Sequence, residues 1–139
     1  VIKAQERPAP RDLLDRVPRS LPPLERARRI GKEVQRVGFD WPDVHGALPK
    51  IAEEATELVH AADSCDAEAT ADELGDLLFA VVNVARHLDL DPESCLRAAT
   101  QKFRRRFALV ESLASERGID LHAADLPALD ALWDEVKAR

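Results

Sequence analysis

Glu73-Leu74-Gly75-Asp76-Leu77-Leu78-Phe79-Ala80-Val81-Val82-Asn83-Val84-Ala85-Arg86-His87 decides how this chain folds. Two stripes run through it at helical spacing. Leu74, Leu77, Leu78, Val81, Ala85 and Leu88 recur at intervals of three and four, which predicts a core-facing side. Glu73, Asp76, Ala80, Asn83 and His87 make a second, mostly polar stripe beside it. Small Ala80 leaves room in its middle. A polar stripe next to a strongly apolar one predicts a wet site at a seam between helices.

A second acidic cluster, Glu53-Glu54-Ala55-Thr56-Glu57, lies upstream in another helix-patterned stretch. Glu54 and Glu57 are three residues apart, as are Glu73 and Asp76, and such pairs share a helix face. Acidic helix faces usually point to solvent. Here the second cluster adjoins the most apolar run of the chain, Leu77 to Ala85, which should be buried. Two such helices side by side would aim four carboxylates at one point. Their repulsion is unfavourable unless a cation sits between them. An all-carboxylate set suits a hard metal, Mg²⁺ first and Mn²⁺ as a substitute. Glu54, Glu57, Glu73 and Asp76 are therefore the expected metal ligands. Glu53, adjacent to the first pair, is the candidate base that activates water.

Outward from these two stretches the pattern stays helical. Residues 1–23 hold five of the nine prolines and read as a tail or interdomain linker, with one short turn at Leu13 to Val17. Residues 24–139 read as the domain. A first helix is expected from Leu24 to Val37, with Gly38 as its stop. A second is expected from about Leu48 to Ala62, a third from about Glu68 to Leu88. Asp91 and Pro92 open a fourth that runs to about Glu116, with Leu96, Ala99, Phe103, Val110 and Leu113 as core positions. Asp125 and Pro127 open a short last helix in which Leu126, Leu129, Leu132, Trp133 and Val136 are apolar. No strand alternation of useful length occurs. The expected fold is all-α: a four-helix-type bundle plus a short C-terminal helix.

The bulk numbers set limits. At 139 residues the chain fits one domain with a real core. It is 45% hydrophobic and 33% charged, too apolar for disorder. A formal charge of −6 argues against a protein that coats a nucleic-acid polymer. It does not exclude a nucleotide, because a metal can carry the phosphate charge. Cys65 and Cys95 form no Cys-x-x-Cys pair and read as reduced thiols, which points to the cytoplasm. The longest uncharged run is too short for a membrane span, so no membrane partner is expected. The chain starts at Val1 and contains no Met, so a fragment of a longer protein is expected.

The run Lys102-Phe103-Arg104-Arg105-Arg106-Phe107 supplies positive charge, with Lys102 and Arg106 four apart on one side of a helix. Lys and Arg beside a divalent-cation site are what phosphate groups need. No P-loop is present, so a Walker-type nucleotide hydrolase is excluded. A di-iron bundle would need two Glu-x-x-His pairs. Glu57-Leu58-Val59-His60 is one, but His87 has Val84 three residues before it and no second pair exists. His60 reads as a surface or seam residue.

Taken together, Val37-Gly38-Phe39-Asp40-Trp41-Pro42-Asp43, Lys50, Glu53-Glu54-x-x-Glu57, the Glu73–His87 segment and Lys102-Phe-Arg-Arg-Arg106-Phe resemble the MazG nucleoside triphosphate pyrophosphohydrolases. The resemblance covers about residues 24–138 and is best to the family's catalytic C-terminal half. It implies a Mg²⁺-dependent, homodimeric, all-α enzyme that cleaves nucleoside triphosphates, canonical or damaged, to the monophosphate and pyrophosphate. It assigns Mg²⁺ to Glu54, Glu57, Glu73 and Asp76, and water activation to Glu53. It assigns the triphosphate to Lys102 and Arg106, with Asn83 assisting. Trp133 resembles the family's base-contacting tryptophan, or else anchors the last helix; Trp41 reads as a packing residue that could also line a base pocket. Two departures stand out: the family has two related halves and this chain has one, and residues 66–72 carry no Lys or Arg. A dUTP- or dCTP-selective pyrophosphatase, a phosphoribosyl-ATP pyrophosphohydrolase and a non-catalytic nucleotide-sensing module are the alternatives.

Overall fold

The computed structural model describes residues 13–139, and among them there is helix and no strand. Of the tail expected at residues 1–23, residues 1–12 lie outside the described residues. A 3-10 turn, Leu13–Arg16, precedes α1 (Pro23–Gln35), α2 (Val44–Asp63), α3 (Ala67–His87), α4 (Pro92–Glu116) and α5 (Leu126–Lys137). The chain divides into two compact units, one ending at Glu93 and one running from Ser94 to Arg139.

In the first unit each helix end is written in the sequence. Pro23 opens α1, where a missing amide hydrogen costs nothing. The Leu24 N–H donates to Glu93 Oε1 at 3.2 Å. Gly38 stops α1 at φ +82°, and the Phe39 N–H reaches back to the Val34 carbonyl at 3.2 Å. Asp43 caps α2 by accepting from the His45 N–H at 2.8 Å. α2 thus begins four residues before the start expected at Leu48. Pro49 sits inside the helix: its ring forfeits one hydrogen bond near the N-terminus without breaking the run. After the short link at residues 64–66, Asp66 caps α3 through the Ala69 N–H at 3.1 Å. α3 packs along α2 and against α1, and the 3-10 turn rests on α1 with Val17 buried.

The side of α3 that faces the unit's interior differs from the expected one. Leu74, Leu78, Val81 and Leu88 are exposed, each by between 44% and 51%. Ala80, Val82 and Arg86 are buried instead, with Glu73, Asn83 and His87 half-buried. The polar stripe faces α1 and α2, and much of the apolar stripe lies open. Helical periodicity shows that two stripes exist; only the shape of the facing helices decides which one turns inward. Here small Ala47 on α2 and Ala80 on α3 are both buried, which favours close approach on the polar side.

The second unit has its own core. Val110, Leu113 and Ala114 of α4 pack with Leu132 and Val136 of α5, and Ile119, Leu121 and Trp133 close around them. Arg117 and Glu135 join the two ends through a paired contact at 2.7 and 2.6 Å. Leu96, Ala99 and Phe103, expected in the core, are exposed; so is Leu126. Phe103 meets Trp133 with one side of its ring and stays 59% exposed on the rest. Among the described residues, no helix is long and apolar enough to cross a membrane.

Candidate functional site

Glu54 and Glu57 lie one turn apart on α2, and Glu73 lies on the facing surface of α3. One carboxylate oxygen from each of the three falls within 4.8 Å of the others. Glu54 is buried, Glu73 half-buried and Glu57 exposed. Glu54 Oε2 and Glu73 Oε2 are shut off from solvent and have no hydrogen-bond partner. Burial first, then the neighbouring charges of Glu57, Asp76, Glu54 and Asp72, push the Glu73 carboxyl above its ordinary pKa. Buried carboxylate oxygens without donors are costly, and a cation between them would satisfy both. The donor set is all oxygen and therefore fits a hard divalent ion. Asp76, one turn beyond Glu73, stands outside the close trio but lines the adjoining cavity with Glu54.

Lys50 sits one turn before the first cluster. Its Nζ reaches Glu54 Oε1 at 2.8 Å and Glu53 Oε1 at 2.9 Å. These contacts, that to Glu54 first, hold the ammonium above its ordinary pKa. Glu53 itself is exposed. Spacings of three and four on one helix make this triplet, so the pattern was present in the sequence.

A cavity of about 710 Å³ opens beside the carboxylates, within the first unit. Lys50, Glu54 and Asp76 form its charged end. Ile30, Gly31 and Val34 of α1 line another side, and Phe79, Ala80, Asn83 and Arg86 of α3 a third. The connector between α1 and α2 contributes Gly38, Phe39, Asp40 and Trp41. A void of this size, charged at one end and bounded by aromatic rings, has the dimensions of a small-molecule site.

Asp40 binds the connector to α3. Arg86 Nη1 and Nη2 donate to its two oxygens at 2.7 and 2.9 Å, and His87 Nε2 lies 3.0 Å from Oδ1. All three side chains are buried. The guanidinium, with help from His87, holds the Asp40 carboxyl down to a pKa of about 2. Arg86 also reaches Asn83 Oδ1 and Gln35 Oε1, each at 3.4 Å. Gly31 lets α1 pass close by: a Cβ there would meet Arg86 Nε at 2.6 Å. Sequence reasoning missed this pair because 46 residues separate its partners and no local spacing announces it.

The first unit therefore gathers Glu53, Glu54, Glu57, Glu73, Asp76 and Asn83. Lys102, Arg106 and Trp133 belong to the second unit. Lys102 is exposed and Arg106 half-buried, one turn apart on α4. Trp133 tilts against Phe103 with ring centres 5.2 Å apart, and Phe103 stacks on Phe107 at 6.2 Å. These rings border an apolar groove of about 410 Å³.

Residues 43–110 match the family model of the MazG nucleotide pyrophosphohydrolase domain. The chain is 41% identical over 140 aligned residues to the nucleoside triphosphate pyrophosphohydrolase of Escherichia coli, covering 98% of this chain and 53% of that protein. The chain carries a MazG domain. A second relative, the nucleoside triphosphate pyrophosphohydrolase/pyrophosphatase MazG of Thermotoga maritima, is 44% identical over 117 residues, covering 84% of this chain and 45% of its own length. The chain thus spans about half the length of the curated relatives it matches. The MazG match takes in both acidic clusters and the basic run of α4. It leaves out α1, the Phe39–Trp41 connector and α5.

Proposed function

We propose that this MazG domain hydrolyses nucleoside triphosphates to the nucleoside monophosphate and pyrophosphate, with Mg²⁺ as cofactor and Mn²⁺ as a working substitute. The observation that carries this reading is the trio Glu54, Glu57 and Glu73, with two buried, unpartnered oxygens; Glu54, which carries one of them, also lines an aromatic-walled cavity. A divalent ion bound there would offset the carboxylate charge and polarise phosphate oxygens. Glu54, Glu57 and Glu73 would hold it, with Asp76 completing the set from the next turn.

The protein's own side chains account for the remaining steps. Lys50, at the charged end of the cavity, places an ammonium where phosphate charge would lie. Phe39 and Trp41 offer ring faces to a base. Asn83, turned to Arg86 through its oxygen, keeps its amide hydrogens for the substrate. Family resemblance, rather than geometry, assigns Lys102 and Arg106 to the triphosphate and Trp133 to the base. In the chemical step water adds to phosphorus as the α–β bridge breaks. The bond's electron pair leaves on the departing phosphate oxygen, and the water's proton passes to Glu53. Glu53 uses one oxygen to meet Lys50, which leaves the other for that proton.

Homodimerisation is part of the proposal. The open apolar side of α3, with Leu74, Leu78 and Val81, is the surface a second copy would cover. Pyrophosphate release from a panel of nucleoside and deoxynucleoside triphosphates, with and without Mg²⁺, tests the activity. Turnover that depends on Mg²⁺ is expected. A preference confined to dUTP or dCTP would narrow the substrate, and binding without turnover would favour a sensing module.

A further inference from the structure

We infer that Asp40, clasped by Arg86 and His87, is a positioning residue that fixes the aromatic wall of the cavity and so sets how tightly a nucleotide's base is held. The inference rests on the nucleotide-hydrolysis reading above and extends it to the Phe39–Trp41 connector, which lies outside the matched MazG segment.

A carboxylate taken out of water is unfavourable unless it is fully paired. Asp40 is 7% exposed at its side chain, Arg86 6% and His87 8%. Apolar residues of similar volume would close the same gap at less cost. What an ion pair adds is a defined geometry. Two parallel hydrogen bonds at 2.7 and 2.9 Å fix the carboxylate plane, and the His87 contact at 3.0 Å closes the third side.

The position of that carboxylate matters because of its neighbours. Phe39 and Trp41 flank Asp40 directly, and all three line the cavity. Phe39 is 80% exposed, so little packing holds its ring in place. Trp41 lies against Gly46 at the start of α2. Asp40, between them, is the side chain that ties the connector to α3. Arg86, in turn, is confined by the close passage of Gly31 and by its contacts to Gln35 and Asn83. The carboxylate trio sits on α2 and α3, and among the described residues no hydrogen bond or ion pair joins it to this clasp. Loosening the clasp should therefore disturb the base end and spare the phosphate end.

The test uses Asp40→Asn and, as a milder change, Arg86→Lys, which keeps the charge but loses the two-pronged contact. Three quantities are read: kcat, KM for a nucleoside triphosphate, and inhibition by inorganic pyrophosphate, which has no base. The expected result is a KM raised about tenfold, kcat within about twofold of the parent and unchanged pyrophosphate inhibition. Backbone amides of residues 38–41 should exchange faster with deuterium while those of α2 and α3 keep their rates. An unchanged KM would overturn the inference, and so would KM and pyrophosphate inhibition weakening together. Loss of helical circular dichroism in both variants would also overturn it, since the clasp would then hold up the fold rather than aim a wall. Absence of turnover in the parent protein with every nucleoside triphosphate would strike the underlying activity instead.

Discussion

At the scale of single residues, Glu73 and Asp40 are opposite solutions to one problem. Each is a carboxylate held away from water. Asp40 is paired with the Arg86 guanidinium and the His87 ring, and its pKa falls to about 2. Glu73 has only acidic neighbours, and its pKa rises. The consequences differ in sign. Asp40 stabilises the fold fully above its unfolded pKa near 3.8, and that contribution, up to about 2 kcal/mol, is lost as the pH falls through about 2. Acid unfolding followed by circular dichroism should therefore show Asp40→Asn less stable than the parent at pH 6, with the gap closing towards pH 2. Removing the Glu73 charge relieves repulsion in the metal-free protein. Glu73→Gln should melt in EDTA no lower than the parent while losing about a hundredfold or more in turnover. The acidic spacing was legible from the sequence, because i and i+3 on a helix fix a face. The Lys50 triplet was legible for the same reason. The Asp40–Arg86 pair was not, since tertiary packing alone brings its partners together.

At the scale of elements, α3 is the instructive case. Its approximate limits and its two stripes followed from the sequence. Which stripe turns inward did not, because that depends on the neighbours' shape. The small residues Gly31, Ala47 and Ala80 let the helices approach on the polar side. Gly31→Ala tests this directly. An added methyl would lie 2.6 Å from Arg86 Nε, and the clash should lower stability by about 1–3 kcal/mol in chemical denaturation. α2 carries a second lesson. The start was expected at Leu48, beside Pro49, yet Asp43 starts the helix earlier and the proline is tolerated near its N-terminus. Capping outweighed the breaker.

At the scale of the whole molecule, the chain exposes more large apolar side chains than a lone helical protein needs. Leu74, Leu78 and Val81 continue one face of α3, and Leu96, Phe103 and Phe107 lie open on α4. The all-helical class was legible from composition and periodicity, whereas the open face was not, since an apolar stripe reads alike whether its cover is the same chain or another. Sedimentation at micromolar concentration should find a dimer, and Leu78→Glu should shift it to monomer by placing a charge in the apolar contact. A monomeric parent protein would count against the dimer without touching the carboxylate site.

The account turns on Glu54, Glu57 and Glu73 acting together as a cation site. Its most direct test is titration of the full chain with Mn²⁺, free ion counted by electron paramagnetic resonance, in the parent and in Glu73→Gln. The account predicts saturable binding in the parent and at least about tenfold weaker binding in the variant. No saturable binding, or binding that Glu73→Gln leaves unchanged, would contradict it.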